Sequence, residues 1–284
     1  MKTKYRFYPE GHTYDGGSIS VSTLIGKYQE QFDGEYWSKY KAWEEMLFPE
    51  LNKDAKKEAF KAVRKEIGYG WNKMKNRDNS IFTLLEKKYP DLVNIVYNEI
   101  QDQITNQWQN KNDKANIKGT AYHEAQEREA LSKGVDVNPF DGLEYKVFKP
   151  YRWEKGVKIQ NIDLYNLEPG SYPEIIVAAK DIIGQVDRPF FAEGKKIYIR
   201  DFKTNEKIDT SNSFQKMKYP VNHLDDCKFN VYALQLSLYG YLFELHGYEV
   251  QKLALDHYNR SIEVPYLRKE VEDIVNHWRM QNMF

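Results

Sequence analysis

One cysteine, Cys227, in 284 residues excludes an internal disulfide, a four-cysteine zinc site and a cysteine-held iron–sulfur cluster. Any metal must then rest mainly on oxygen and nitrogen ligands. No apolar run approaches the roughly 20 residues that span a bilayer, and the opening MKTKYRFYPEGH carries no apolar block of the signal-peptide kind. A soluble, cytosolic protein is expected. Net charge is missing as well, since 42 Lys and Arg balance 42 Asp and Glu. That excludes a protein that coats nucleic acid by bulk charge, so a nucleic-acid partner would have to meet a local basic patch. Internal repeats and low-complexity linkers are also lacking.

What is present is enough apolar material, 41% of the chain, for one large domain or a domain with a substantial insertion. From Tyr5 to Ile25 apolar and polar residues alternate around the turn Asp15, Gly16 and Gly17, which predicts a hairpin and a following strand. From Glu35 to Lys118 the apolar spacing changes to three and four, with breaks at Pro49, Gly68, Gly70 and Pro90. An all-helical insertion is expected there. A further helix is predicted over Thr120 to Ser132, with Thr120 as N-cap and Gly134 as terminator. Strands are predicted at Glu174 to Ala179, Ile182 to Phe191, Lys196 to Phe202 and Leu253 to Tyr258, with helices at Phe229 to His246 and from Leu267 onward. This order is α/β, a mixed sheet flanked by helices. The division is into residues 1–30 joining the core, a helical insertion at 31–116, and a core at 117–284.

The strongest local charge lies between Lys53 and Arg77, where nine basic residues face Asp54, Glu58 and Glu66. Tyr69 and Trp71 lie inside it. Rings among cations suit a single-stranded nucleic acid, because bases stack on rings while cations follow phosphates. Lys56, Lys57, Lys61, Arg64, Tyr69 and Trp71 are therefore candidate DNA contacts, the alternative being a solvated helix face with two core aromatics.

The stretch DIIGQVDRPFFAEGKKIYIRDFKT reads as two strands joined at Ala192 to Lys195. A hairpin centred on Gly194 sets Asp187 opposite Asp201, an arrangement that like charges disfavour unless a cation neutralises them. Alternation along the strand puts Lys203 on the same face as Asp201. Two carboxylates and an ammonium converge.

Gly184 with Asp187, followed by Asp201 and Lys203, resembles the core motif of the PD-(D/E)xK nucleases. Two more segments are similar to the RecB-like branch of that superfamily: GTAYHEAQE, with His123 in the place of its helix-borne ligand, and YALQLSLYGYLFE, with Gln235 and Tyr239 in its QxxxY arrangement. The motifs occur in the family's order from about Lys118 to Tyr258, and SISVSTLIG is similar to phage and mitochondrial exonucleases of the branch. The resemblance implies a restriction-endonuclease-like α/β core and a deoxyribonuclease that leaves 5′-phosphate and 3′-hydroxyl ends. It implies one or two Mg²⁺ or Mn²⁺ ions held by His123, Asp187, Asp201 and the Phe202 carbonyl. It further implies that Lys203 orients or deprotonates the attacking water, and that Gln235 and Tyr239 steady either the DNA backbone or Lys203. Glu174, Glu124 and Glu127 are candidates for supporting the metal from outside its ligand set. Relatives with an iron–sulfur cluster carry four cysteines, so a cluster-free exonuclease is expected here, acting in replication, recombination or repair, in a phage or a cell. A structure-selective or nicking endonuclease, a non-catalytic DNA-binding module, and a carbohydrate or nucleotide enzyme with chance motifs stay open beside it.

Overall fold

Alternation at the N-terminus gives β1 (Thr3–Tyr8) and β2 (Thr13–Tyr14), paired antiparallel in a computed structural model that describes residues 3–8, 13–14, 18–258 and 260–282. The expected turn at Asp15, Gly16 and Gly17 lies outside the described residues. The strand expected to run on to Ile25 is instead only β3 (Ile19–Ser20), followed by α1 (Val21–Gly26). The cause is local: the Ser20 hydroxyl accepts from the Thr23 amide at 3.0 Å, an N-cap that starts a helix where apolar spacing had suggested a strand. The chain divides into two compact units, Met1–Glu30 with Ile117–Phe284, and Gln31–Asn116.

The second unit is helical: α2 (Gly34–Leu47), α3 (Lys53–Glu66), α4 (Trp71–Lys75) and α5 (Ser80–Lys88). A 3₁₀ turn (Pro90–Leu92) and α6 (Val93–Ile95) then lead through a π turn (Val96–Ile100) into α7 (Gln101–Lys133). Asp33 and Asn52 cap the starts of α2 and α3 through their side chains. The unit closes on Trp43, Phe60, Tyr69, Ile81 and Leu85. Thr120 is interior to α7, not an N-cap: the helix runs on through Gly119, and no proline interrupts Gln101–Lys133. Gly134, at φ 69°, ends the helix as expected.

In the first unit, β4 (Val135–Val137) pairs with β5 (Glu144–Lys146), and β6 (Tyr151–Glu154) with β7 (Val157–Ile162), all antiparallel. The first sheet has the order β2-β1-β7-β6. Then follow β8 (Gly170–Ser171), β9 (Ile175–Ala179), β10 (Ile182–Val186), β11 (Arg188–Ala192) and β12 (Lys196–Lys203). After these come α8 (Lys228–Glu244), β13 (Glu249–His257), β14 (Arg260–Val264) and α9 (Arg268–Gln281). A strand predicted as one, from Ile182 to Phe191, breaks at Asp187: β10 pairs with β9 and β3, whereas β11 joins the sheet β14-β13-β12-β11-β8. β12 and β13 run parallel, joined by a connection that includes α8. The architecture is mixed α/β. Among the described residues no helix is long and apolar enough to cross a membrane.

Ile175, Val177, Ile182, Ile199 and Leu255 from these sheets pack with Leu234, Leu238 and Leu242 of α8 and with Ile274 of α9. A separate cluster of Phe7, Ile176 and Ile183 joins the first sheet to β9 and β10. Gln160, wholly buried, completes that junction: its amide donates to the Ile176 carbonyl at 2.6 Å, and its carbonyl accepts from the Ile176 amide at 2.7 Å. Gly184 is required by close approach, since a Cβ there would collide with the Tyr239 ring and lie 2.9 Å from Val21 Cγ2. Gly184→Ala is expected to cost about 1–3 kcal/mol by overpacking. Chemical denaturation of the purified variant measures it, and an unchanged midpoint would refute the close packing.

Candidate metal centre

The break at Asp187 is what assembles the site. Where the strand changes sheets, the Asp187 carboxylate accepts from the Phe202 amide at 2.8 Å and lies 3.2 Å from His123 Nδ1 of α7. Its carbonyl accepts from the Glu174 amide at 3.0 Å. Glu174 has φ 61°, a left-handed conformation uncommon for a residue other than glycine. Ligand-type atoms of His123, Glu174 and Asp187 all lie within 4.8 Å of one another.

Asp201 and Lys203 stand beside this group. The hairpin register is the one expected, with Arg188 facing Arg200 and Ala192 facing Lys196. The Asp201 carboxylate is paired with the Lys203 ammonium, both largely buried. Lys203 Nζ also donates to Gln235 Oε1 at 3.5 Å and lies 4.6 Å from the centroid of the Tyr232 ring. Gln235 in turn donates from Nε2 to the Tyr239 hydroxyl at 3.1 Å. Gln235 thereby links Lys203 to Tyr239. Tyr239 is buried, with its ring packed against Gly184.

Electrostatics follow from this crowding. Burial works against a charged imidazole, but the hydrogen bond and charge of Asp187 outweigh it and lift His123 to about 9. Burial and the neighbouring Asp187 push Glu174 up to about 8. The same two causes, opposed by Lys203, push Asp201 up to about 6. Asp187 is the exception: burial raises it, yet the hydrogen bond and charge of His123 bring it below the usual carboxylate range. Lys203 is held above the usual ammonium value, because Asp201 and Asp187 overcome its burial. Carboxylates that resist ionisation around one imidazole suit a divalent cation, whose charge would replace the protons, and the oxygen and nitrogen donors suit a hard or borderline ion.

Without metal the linkage has one sign over most of the accessible range. His123, Glu174 and Asp201 bind protons more tightly folded than unfolded, so their stabilisation is present below their unfolded values and lost as pH rises through about 6 to 9. Asp187 works the other way, but only in acid below its ordinary range. In EDTA the melting temperature is therefore expected to fall steadily from pH 5 to pH 9. Millimolar Mn²⁺ should flatten the profile, and a melting temperature that rises with pH in EDTA would contradict this electrostatic picture.

Glu174, expected to support the metal from outside its ligands, lies with its carboxylate among the ligand-type atoms of His123 and Asp187. Glu127 accepts from the Tyr151 hydroxyl, while Glu124 is exposed on α7. Two residues were missed from the sequence. Lys158 of β7, buried, has its Nζ 3.5 Å from Glu174 Oε2, and Gln185 of β10 donates to the same oxygen. Neither carried a local signal: β10 is apolar on both faces, with Ile182 and Ile183 both buried, and Gln185 shares the face of Ile183.

The basic segment divides differently from its expected role. Tyr69 is 2% exposed, its hydroxyl shared with Tyr36 at 2.9 Å and donating to the Asp78 carbonyl, so its ring is core and stacks on no base. Lys56 pairs with Glu45, and Arg64 lies over the Tyr40 ring and beside Met74. These two cations serve the helical unit's own packing. Lys57 and Lys61 are exposed, each near an acid one turn away on α3, and Trp71 is exposed at 53%. No protein-family model, no curated protein and no solved structure matches this chain.

Proposed function

We propose that the chain is a metal-dependent deoxyribonuclease of the RecB-like branch of the PD-(D/E)xK superfamily, hydrolysing phosphodiester bonds from a free DNA end. The observation that carries this reading is the convergence of His123, Glu174 and Asp187 within 4.8 Å, beside a buried lysine held by Asp201 and Gln235. These residues come from three separate parts of the sequence and coincide with the resemblance in type and order. Such a donor set fits Mg²⁺ or Mn²⁺, which when bound would supply Lewis-acid polarisation of the scissile phosphate. His123, Glu174 and Asp187 would hold the ion, with Asp201 close enough to feel the Asp187 charge.

Lys203 has the clearest role among the remaining groups. Paired with Asp201 and directed by Gln235, its ammonium would offset negative charge as it builds on a phosphate oxygen and orient the attacking water. Gln235, steadied by Tyr239, fixes the direction of that ammonium. Preorganisation of this kind favours the transition state over the bound substrate.

Incubation of end-labelled linear and circular single-stranded DNA with and without Mg²⁺ tests the reading. Loss of label from the linear strand only when Mg²⁺ is present, with the circle intact, is expected. Rapid cutting of the circle would transfer the reading to an endonuclease with the same site, and no metal-dependent cutting of any DNA would overturn it.

A further inference from the structure

On β6 and β7 the sequence KPYRWEKGVK folds so that Trp153 lies opposite Lys158 and Tyr151 opposite Gln160. Directly opposed residues share a face of a sheet, and so do residues two apart, so Tyr151, Trp153, Lys158 and Gln160 occupy one face. It is the face that meets Ile176 and Glu174. Lys158 Nζ sits 4.1 Å from the Tyr151 ring centroid and 5.8 Å from that of Trp153, and the two rings meet edge to face at 6.1 Å. The same ammonium reaches Glu174 of the metal centre. Trp153 is therefore two contacts from the ligand cluster. Yet it is 51% exposed, on β6 at the edge of its sheet, where the neighbouring Tyr151 and Lys158 are buried.

An exposed indole packed against Tyr151 and Lys158 leaves apolar surface in water and adds little to the core. Its surroundings match what a single nucleotide needs. Bases stack on rings irrespective of sequence, and cations beside the ring follow the phosphates. Lys149, exposed, stands 5.0 Å from the Tyr151 ring centroid. The combination of rings and cations looked for between Lys53 and Arg77 is thus realised between Lys149 and Lys158, next to the ligand cluster.

We propose that Trp153 is a nucleobase-stacking subsite, holding the base of a nucleotide adjoining the scissile phosphate, with Lys158 fixing the indole from beneath and Lys149 meeting the backbone. This rests on the nuclease reading above. It assigns to the first sheet the task of fixing which phosphate stands over the metal centre.

A double cycle tests it. In the cleavage-deficient Asp201→Asn background with Mg²⁺, fluorescence anisotropy is used to titrate short single-stranded oligonucleotides, intact or with one abasic position, against Trp153, Trp153→Ala and Trp153→Phe. At one abasic position the Kd is expected to rise about 5- to 150-fold, the factor for losing a single stack. Trp153→Ala should cost the same on the intact strand, the two changes together should cost no more than either alone, and Trp153→Phe should restore most of the binding. Additive losses, or a Kd for Trp153→Ala within twofold of its parent, would overturn the subsite while leaving the nuclease reading in place if the unmutated protein cuts DNA. A protein that neither cuts nor binds any oligonucleotide would overturn both.

Discussion

Asp201→Asn is expected to slow phosphodiester cleavage by about 10³-fold, the scale of losing one preorganised electrostatic group, and Lys203→Ala by a similar factor. The reasons differ. Asp201 fixes the Lys203 ammonium by an ion pair and adds negative charge beside Asp187, whereas Lys203 supplies a largely buried cation next to both carboxylates. The two variants also differ in stability. Asparagine keeps a carbonyl that accepts from Lys203 Nζ, but alanine at 203 leaves the Asp201 carboxylate buried without its cation, which costs about 3–5 kcal/mol. Rates are therefore compared well below each variant's melting temperature, alongside a DNA-binding titration. Retention of a tenth or more of the parent rate in either folded variant would remove these residues from the chemistry.

Chelation has the second large effect. Exhaustive EDTA treatment is expected to abolish cleavage, and added Mg²⁺ or Mn²⁺ to restore it, because the ligand cluster has oxygen and nitrogen donors and the sole cysteine, Cys227, is buried at the start of α8. Glu174→Gln and His123→Ala should each weaken Mn²⁺ binding at least about 10- to 100-fold, the loss seen even for groups that only support a ligand. Electron paramagnetic resonance of free Mn²⁺ reads this without reference to activity. The comparison with Asp201→Asn is the informative one. If Asp201→Asn weakens Mn²⁺ binding as much as Glu174→Gln does, the ion is shared across both carboxylate groups; if it does not, the ion sits on the His123, Glu174 and Asp187 cluster. Full activity after chelation would sink the metal-dependent reading.

The sequence by itself determined the α/β order, the helical character of residues 31–116 and the register of the β11–β12 hairpin. Each of these rests on local information: apolar spacing, Gly194 in the turn, and alternation along a strand. It also set Asp201 and Lys203 on one face, since that needs only the two-residue period of a strand. Only the tertiary structure decided that the predicted strand from Ile182 to Phe191 breaks at Asp187 and passes between two sheets. That break depends on how the two halves pair: β10 sits between its neighbour β9 and the distant β3, whereas β11 pairs with β12 in the sheet that also holds β13 and β8. Tertiary packing alone also brought Glu174 beside His123 and Asp187 and Lys158 up to Glu174, turned Tyr69 into core and left Trp153 at the surface. A residue's neighbours across sheets are set by long-range contacts that no local period encodes, and it is those neighbours that decide whether a carboxylate binds a cation, a lysine serves a site or a ring meets solvent.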